Sequence, residues 1–177
     1  MFSQINNLLI WVNNMRKGLS QKELDFISKL ELKGKYFFTR GDIRGNFSSD
    51  NEMNVYLHRL KGKGRIVKLN KSKYFLIPVK AVGSKWSEHP FALINEIMNG
   101  KDYCIAGKAA AHYWKLIDQI PFEFLVYTPK KHSLMRLFNI RLHFMKRRKK
   151  NFPETTVRKM HGVPFFIATK QESRQWI

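Results

Sequence analysis

Ser20-Gln21-Lys22-Glu23, Ser49-Asp50-Asn51-Glu52 and Arg65-Ile66-Val67-Lys68-Leu69-Asn70-Lys71-Ser72-Lys73-Tyr74-Phe75-Leu76-Ile77 belong to one stretch, Ser20 to Pro78, whose order of elements decides the fold. In the first piece the Ser20 hydroxyl can cap the Glu23 amide while the Glu23 carboxylate reaches back, which starts a helix. Leu24, Ile27 and Leu30 form its apolar stripe, and Gly34 ends it. Tyr36-Phe37-Phe38 is a short β-prone run, and Thr39 can cap a brief helix over Arg40 to Arg44 that Gly45 closes. The second capping box, at Ser49, opens a helix with Met53, Tyr56, Leu57 and Leu60 on one face. Asn51, Asn54, Val55, His58 and Arg59 lie on the other. Gly62 and Gly64 break that helix, and two strands, Arg65 to Leu69 and Tyr74 to Ile77, follow around Asn70-Lys71-Ser72-Lys73.

Helix, short strand, helix, helix and hairpin within about 60 residues is the order of a winged helix-turn-helix. The physical logic agrees, because the Ser49 helix offers short polar side chains to base edges while the hairpin carries lysines toward phosphates. The residues assigned to DNA are Asn51, Asn54, His58 and Arg59 for base edges, with Asn suited to adenine and Arg to guanine. Arg40, Ser49, Lys61, Lys68, Lys71 and Lys73 are assigned to phosphates.

Composition supports an anionic partner. The chain has 177 residues with 33 Lys and Arg against 13 Asp and Glu, a formal net charge of +20. That balance suits a phosphate backbone or an anionic membrane surface and disfavours a basic partner. No apolar run approaches the roughly 18 residues of a spanning helix; Leu8 to Val12, near the start, is five residues long. Neither a basic n-region nor a cleavage site marks the N-terminus, and the lone Cys104 has no disulfide partner, so a cytoplasmic protein away from membranes is expected.

Ile5, Leu8, Leu9 and Val12 predict an additional amphipathic helix before Gly18. Pro78 to Glu88 holds Pro, Gly and Ser without periodicity, which divides the chain into a DNA-binding domain at 1–78, a linker at 79–88 and a second domain at 89–177. Charge is shared: residues 1–78 carry 15 Lys and Arg against 6 acids, and residues 79–177 carry 18 against 7. The second domain reads as α+β with a mostly antiparallel sheet. Helices are expected over Pro90 to Met98 and over Gly107 to Trp114, where three alanines favour helix and close packing. Strands are expected at Asp102 to Ile105, Phe122 to Tyr127, Ile140 to Met145, Thr156 to Met160 and Val163 to Ala168.

Lys130, Lys131, Arg136, Arg141 and the run Lys146-Arg147-Arg148-Lys149-Lys150 form a second basic patch, which a folded sheet could gather on one surface with Arg158 and Lys159. Phe138, Phe144 and Phe152 lie among them as candidates to stack on bases. Catalytic constellations are missing: there is no phosphate loop, dinucleotide loop or paired-histidine metal helix. The six histidines are dispersed. Glu31-Leu32-Lys33 falls at a helix end, and Gly83-Ser84 is followed by no Asp-x-Asp pair. No enzymatic activity, metal or cofactor is expected.

Tyr74-Phe75-Leu76-Ile77-Pro78 followed by Asp102-Tyr103-Cys104-Ile105-Ala106-Gly107-Lys108-Ala109-Ala110-Ala111-His112 resembles the AbiEi-like antitoxins of type IV toxin-antitoxin systems. Gln119-Ile120-Pro121, Phe124 to Thr128, Ile140 to Phe144 and Gly162 to Thr169 continue the likeness. The resemblance implies a prokaryotic autorepressor that binds an inverted-repeat operator in double-stranded DNA and counteracts a nucleotidyltransferase-like toxin; a monomer or weak dimer on the DNA is expected. The family pattern runs past the segment matching Lys170 to Ser173 into further helices, so a second domain shortened at its C-terminus is expected. The alternative reading is an RNA- or toxin-binding module that uses the basic second-domain surface.

Overall fold

The structure, a computed structural model, describes residues 18–78, 88–130, 132–160 and 162–177. The expected first helix and the Gly83-Ser84 pair lie outside the described residues. The chain divides into two compact units between Trp86 and Ser87. Among the described residues the fold is mixed α+β, with six α-helices and two sheets that are mostly antiparallel.

The first unit opens with α1, Gln21–Leu32, held by the capping box at Ser20: the Glu23 amide donates to Ser20 Oγ at 3.4 Å and the Ser20 amide donates to Glu23 Oε2 at 2.7 Å. The buried face is Glu23, Phe26, Ile27 and Leu30, so Leu24, expected in the stripe, is only half-buried. Next come β1, Phe37–Thr39; α2, Arg40–Ile43, capped by Thr39; and a 3-10 turn over Arg44–Asn46. Then α3 spans Asp50–Gly62, and β2, Ile66–Lys68, and β3, Lys73–Leu76, complete an antiparallel sheet in the order β1-β3-β2. The register pairs Phe38 with Tyr74 and Val67 with Phe75.

Phe26, Ile27, Leu30, Phe38, Ile43, Met53, Leu57, Leu60 and Ile66 pack as one core. A wedge of three rings lies between α1 and α3: Phe26 meets Tyr56 edge-on at 5.3 Å, and Phe47 lies 6.0 Å from Phe26 and 5.1 Å from Tyr56. The Tyr56 hydroxyl donates to the Lys22 carbonyl at 3.0 Å, and burial pushes it up to about 12. Lys63, just after α3, donates to Glu23 at 2.5 Å and to the Gly18 carbonyl at 3.0 Å.

In the second unit, α4 is Pro90–Met98, β4 Cys104–Ala106, α5 Gly107–Tyr113 and β5 Glu123–Thr128. They are followed by β6, Ser133–Leu137; β7, Ile140–Lys146; β8, Thr155–Met160; β9, Val163–Ala168; and a short α6, Lys170–Ser173. The sheet order is β6-β7-β5-β4-β9-β8, with β5 parallel to β7 and β4 parallel to β9. Strand β6 is not among the strands expected from sequence, because its Ser-Leu-Met-Arg-Leu run lies against polar flanks at a sheet edge.

Phe91 of α4 is the hub of this core, 4.9 Å from Phe165, 6.0 Å from Phe124 and 5.8 Å from Tyr113. The Tyr103 hydroxyl donates to the buried Asn95 at 2.9 Å and accepts from the Phe166 amide at 3.3 Å, which ties α4 to β9. Gly107 joins β4 to α5 at φ +66°, and an added Cβ there would stand 3.3 Å from Leu125 Cβ. Both the left-handed backbone and the close approach call for glycine. Ala109, Ala110 and Ala111 are fully buried behind it.

Burial pushes the Glu23 carboxyl up, but hydrogen bonds from Lys63 and the Ser20 amide outweigh it and hold the group below its ordinary value of 4.5. Asp42 is held at about 2, against an ordinary 3.8, chiefly by the Lys35 ammonium at 2.6 Å and then by the Thr39 hydroxyl and amide. Because both folded values are depressed, their stabilisation is complete above the ordinary carboxylate range and is lost as pH falls through the folded values. Circular dichroism during acid titration should therefore show first-unit structure persisting at pH 4 and decaying toward about pH 2. Lys63→Met, which strands a buried carboxylate, should cost about 2 to 3 kcal/mol by urea unfolding at neutral pH.

Candidate nucleic-acid interface

Helix α3 starts where Ser49 Oγ accepts from the Glu52 amide at 3.1 Å. The expected reciprocal box differs in one partner, because the Glu52 carboxylate bonds one residue further back, to the Ser48 amide at 2.8 Å and hydroxyl at 2.6 Å. Asp50 and Glu52 in the first turn and Arg59 and Lys61 in the last complement the helix dipole. Met53, Leu57 and Leu60 are buried, and Asn51, Asn54, Val55, His58, Arg59 and Lys61 are exposed.

At about 100° per residue, Asn51, Val55 and His58 form the centre of the outer face. Asn54 and Arg59 occupy opposite shoulders, about 140° apart. Arg59 faces the α1 side, where it lines a groove with Lys22, Lys29 and Asn51. Val55, 51% exposed, stands at the centre of the face and was not among the residues assigned from sequence. An exposed β-branched residue among polar ones on a capped helix was the available signal.

The β2–β3 hairpin is closed by Asn70, whose Oδ1 accepts from the Ser72 and Lys73 amides, each at 2.9 Å. Buried Leu69 anchors the turn from below. Lys68 and Lys71 are exposed, but Lys73 is half-buried as the first residue of β3, opposite Thr39 of β1. It is a strand residue and does not stand at the hairpin tip as the sequence reading placed it.

Ion pairing sorts the cations of this unit. Lys35 pairs with Asp42, Arg44 with Asp50 at 2.9 Å, and Lys63 with Glu23. Arg40, Arg59, Lys61, Lys68 and Lys71 pair with no carboxylate among the described residues. Arg40 is half-buried at the start of α2. Five of the six cations assigned to DNA are therefore unneutralised among the described residues, as are Lys22, Lys29, Lys33 and Arg65 of the same unit.

The second patch is divided by the topology and is not gathered on one surface. Arg136 and Arg141 face each other across β6 and β7 beside the hairpin that joins them. Lys146 ends β7 and Arg147, Arg148, Lys149 and Lys150 follow it, about 15 Å or more away at strand rise. Since β5 and β7 run parallel, Lys130 emerges at that same far end, and Asp102 bridges it at 3.4 Å and Lys149 at 2.5 Å. Hydrogen bonds from Lys149 and then Lys130 hold the Asp102 carboxyl low against a smaller opposing effect of burial. Arg147 lies over the Tyr127 ring at 4.5 Å. Arg158 sits at the opposite sheet edge on β8, over Trp114 at 5.3 Å and donating to the Tyr113 hydroxyl at 3.2 Å. Lys131 lies outside the described residues. Phe144 is fully buried in the core and is not available for stacking.

Burial pushes the Cys104 thiol up to about 11, so it is an inert core group. No group of three His, Cys, Asp or Glu side chains suited to a metal ion occurs among the described residues. No helix among them is long and apolar enough to cross a membrane. No family model matches the chain, and no curated protein shows significant similarity to it.

Ser49→Ala should destabilise the chain by about 1 kcal/mol in chemical denaturation, because the first turn of α3 loses its cap. A wild-type midpoint for this variant would remove Ser49 from the support of the helix.

Proposed function

We propose that the chain is a DNA-binding transcriptional regulator in which the first unit acts as a winged helix-turn-helix. The observation that carries this reading is the polar, exposed outer face of α3, followed directly by a hairpin whose Lys68 and Lys71 pair with no carboxylate among the described residues. In this reading α3 enters the major groove. Asn51 and His58 meet base edges at the centre, Val55 meets a thymine methyl group, and Asn54 and Arg59 read the flanking positions. Arg40, Lys61 and Lys71 hold the backbone on either side, Lys68 extends the contact along the hairpin, and Ser49 can donate its hydroxyl proton to a phosphate while its oxygen caps the helix.

The resemblance to AbiEi-like antitoxins adds a specific setting: an autorepressor on an inverted-repeat operator that opposes a nucleotidyltransferase-like toxin. Two copies, one per half-site, are then needed on the duplex.

Duplex binding is tested with the DNA upstream of the gene in gel shifts against unrelated DNA of equal length. Asn54→Ala with Arg59→Ala should abolish preference for the upstream fragment, each lost base contact weakening it by about 1 to 3 kcal/mol. Lys71→Ala should weaken both DNAs alike and lower the slope of log K against log salt by about 0.9. Selective binding that survives the double substitution would overturn the assignment of α3. Coexpression with the neighbouring reading frame tests the antitoxin role, which requires growth to be rescued by this chain.

A further inference from the structure

The hairpin between β6 and β7 is built against ordinary preference in two ways at one place. Leu137 and Ile140 are partners in the ladder, so Phe138 and Asn139 form a two-residue loop. Its first residue adopts φ +54°, left-handed backbone at which glycine is the low-strain choice and a bulky aromatic the costly one. Arg136 and Arg141 are direct cross-strand partners, an arrangement in which like charges repel. Glu123 offers little relief, since its carboxylate lies 4.0 Å from Arg141 and is shared with His143 at 3.4 Å.

A third feature converges on the same spot. Phe122, 65% exposed, lies under the Arg141 guanidinium at 5.4 Å, and the Arg141 amide donates to the Phe122 carbonyl at 3.1 Å. Phe122, Arg136, Phe138, Asn139, Ile140 and Arg141 line one open notch of about 240 Å³. Two guanidinium forks suit a phosphate, and an exposed ring beside them suits a base.

We infer that this notch binds single-stranded nucleic acid, with a phosphate between Arg136 and Arg141 and an unstacked base on Phe122 against the Phe138 rim. The strained backbone holds Phe138 at that rim, and the bound phosphate neutralises the arginine pair. A duplex does not satisfy the site, because its bases are already stacked on one another. The notch is also smaller than the roughly 300–1,000 Å³ that encloses a whole small ligand, which suits one nucleotide of a passing strand. This site is independent of duplex recognition by α3.

The test uses the full chain and fluorescence anisotropy with labelled oligo(U), oligo(dT) and an unrelated duplex of equal length. Both single strands should bind, and the ratio of their affinities identifies the preferred sugar. Phe122→Ala should weaken single-strand binding roughly tenfold. Arg136→Gln and Arg141→Gln should each lower the salt slope by roughly 0.7. Phe138→Gly is the decisive variant, because it relieves the backbone: the thermal midpoint should stay or rise while single-strand affinity falls. Lys71→Ala should leave single-strand binding unchanged. The inference is overturned if the four notch variants bind single strands like the wild type, or if they weaken duplex and single strand equally.

Discussion

A buried carboxylate fixes the geometry of the first unit. Glu23 closes the N-terminal cap of α1 and accepts from Lys63 after the end of α3, so one side chain links the start of one helix to the end of another. An ion pair of this kind, 5% exposed on the acid side, adds little net stability, yet it tolerates few alternative arrangements. With that clasp closed and the Phe26, Phe47 and Tyr56 rings wedged beside it, α3 must turn Met53, Leu57 and Leu60 inward. The outer face, centred on Asn51, Val55 and His58, is the remainder. The composition of the exposed face of this helix is therefore set by what the core demands of its other side.

The second unit obeys a different constraint. Pairing β5 parallel to β7 requires β6 to cross over and sit at the edge, which sends the chain out at one end of the sheet and back at the other. Cations close in sequence are thereby separated. Arg136 and Arg141 meet at one end, while Lys130 and Lys149 meet on Asp102 at the other. Two smaller clusters with different surroundings replace one broad basic surface: the first lies beside the exposed Phe122 ring, and the second is partly neutralised.

Much of the architecture was legible in the residues. Ser20, Thr39 and Ser49 each cap a helix where their hydroxyls indicated, and the strand over Val163 to Ala168 has the bounds expected for the run that follows Gly162. Local rules sufficed there because caps and turns are satisfied by neighbours in the chain. Strand β6, the half-burial of Lys73 and the burial of Phe144 were not legible, since each depends on a partner strand that the local pattern does not name. Among the candidate site residues, the exposed positions of α3 followed from helical periodicity. The separation of Asn54 from Arg59 around the helix, and the central place of Val55, emerge once the buried face is known.

By itself the sequence determined the net charge of +20, the helix starts, the basic hairpin and the absence of the familiar catalytic motifs. Only the tertiary structure decided which cations stay unneutralised, that Phe138 sits in left-handed backbone, and that Arg136 opposes Arg141. The physical reason is one of range. Caps and amphipathic stripes are settled within a few residues, whereas ion pairing, strand register and the exposure of a ring depend on what the folded chain brings alongside from far away in sequence.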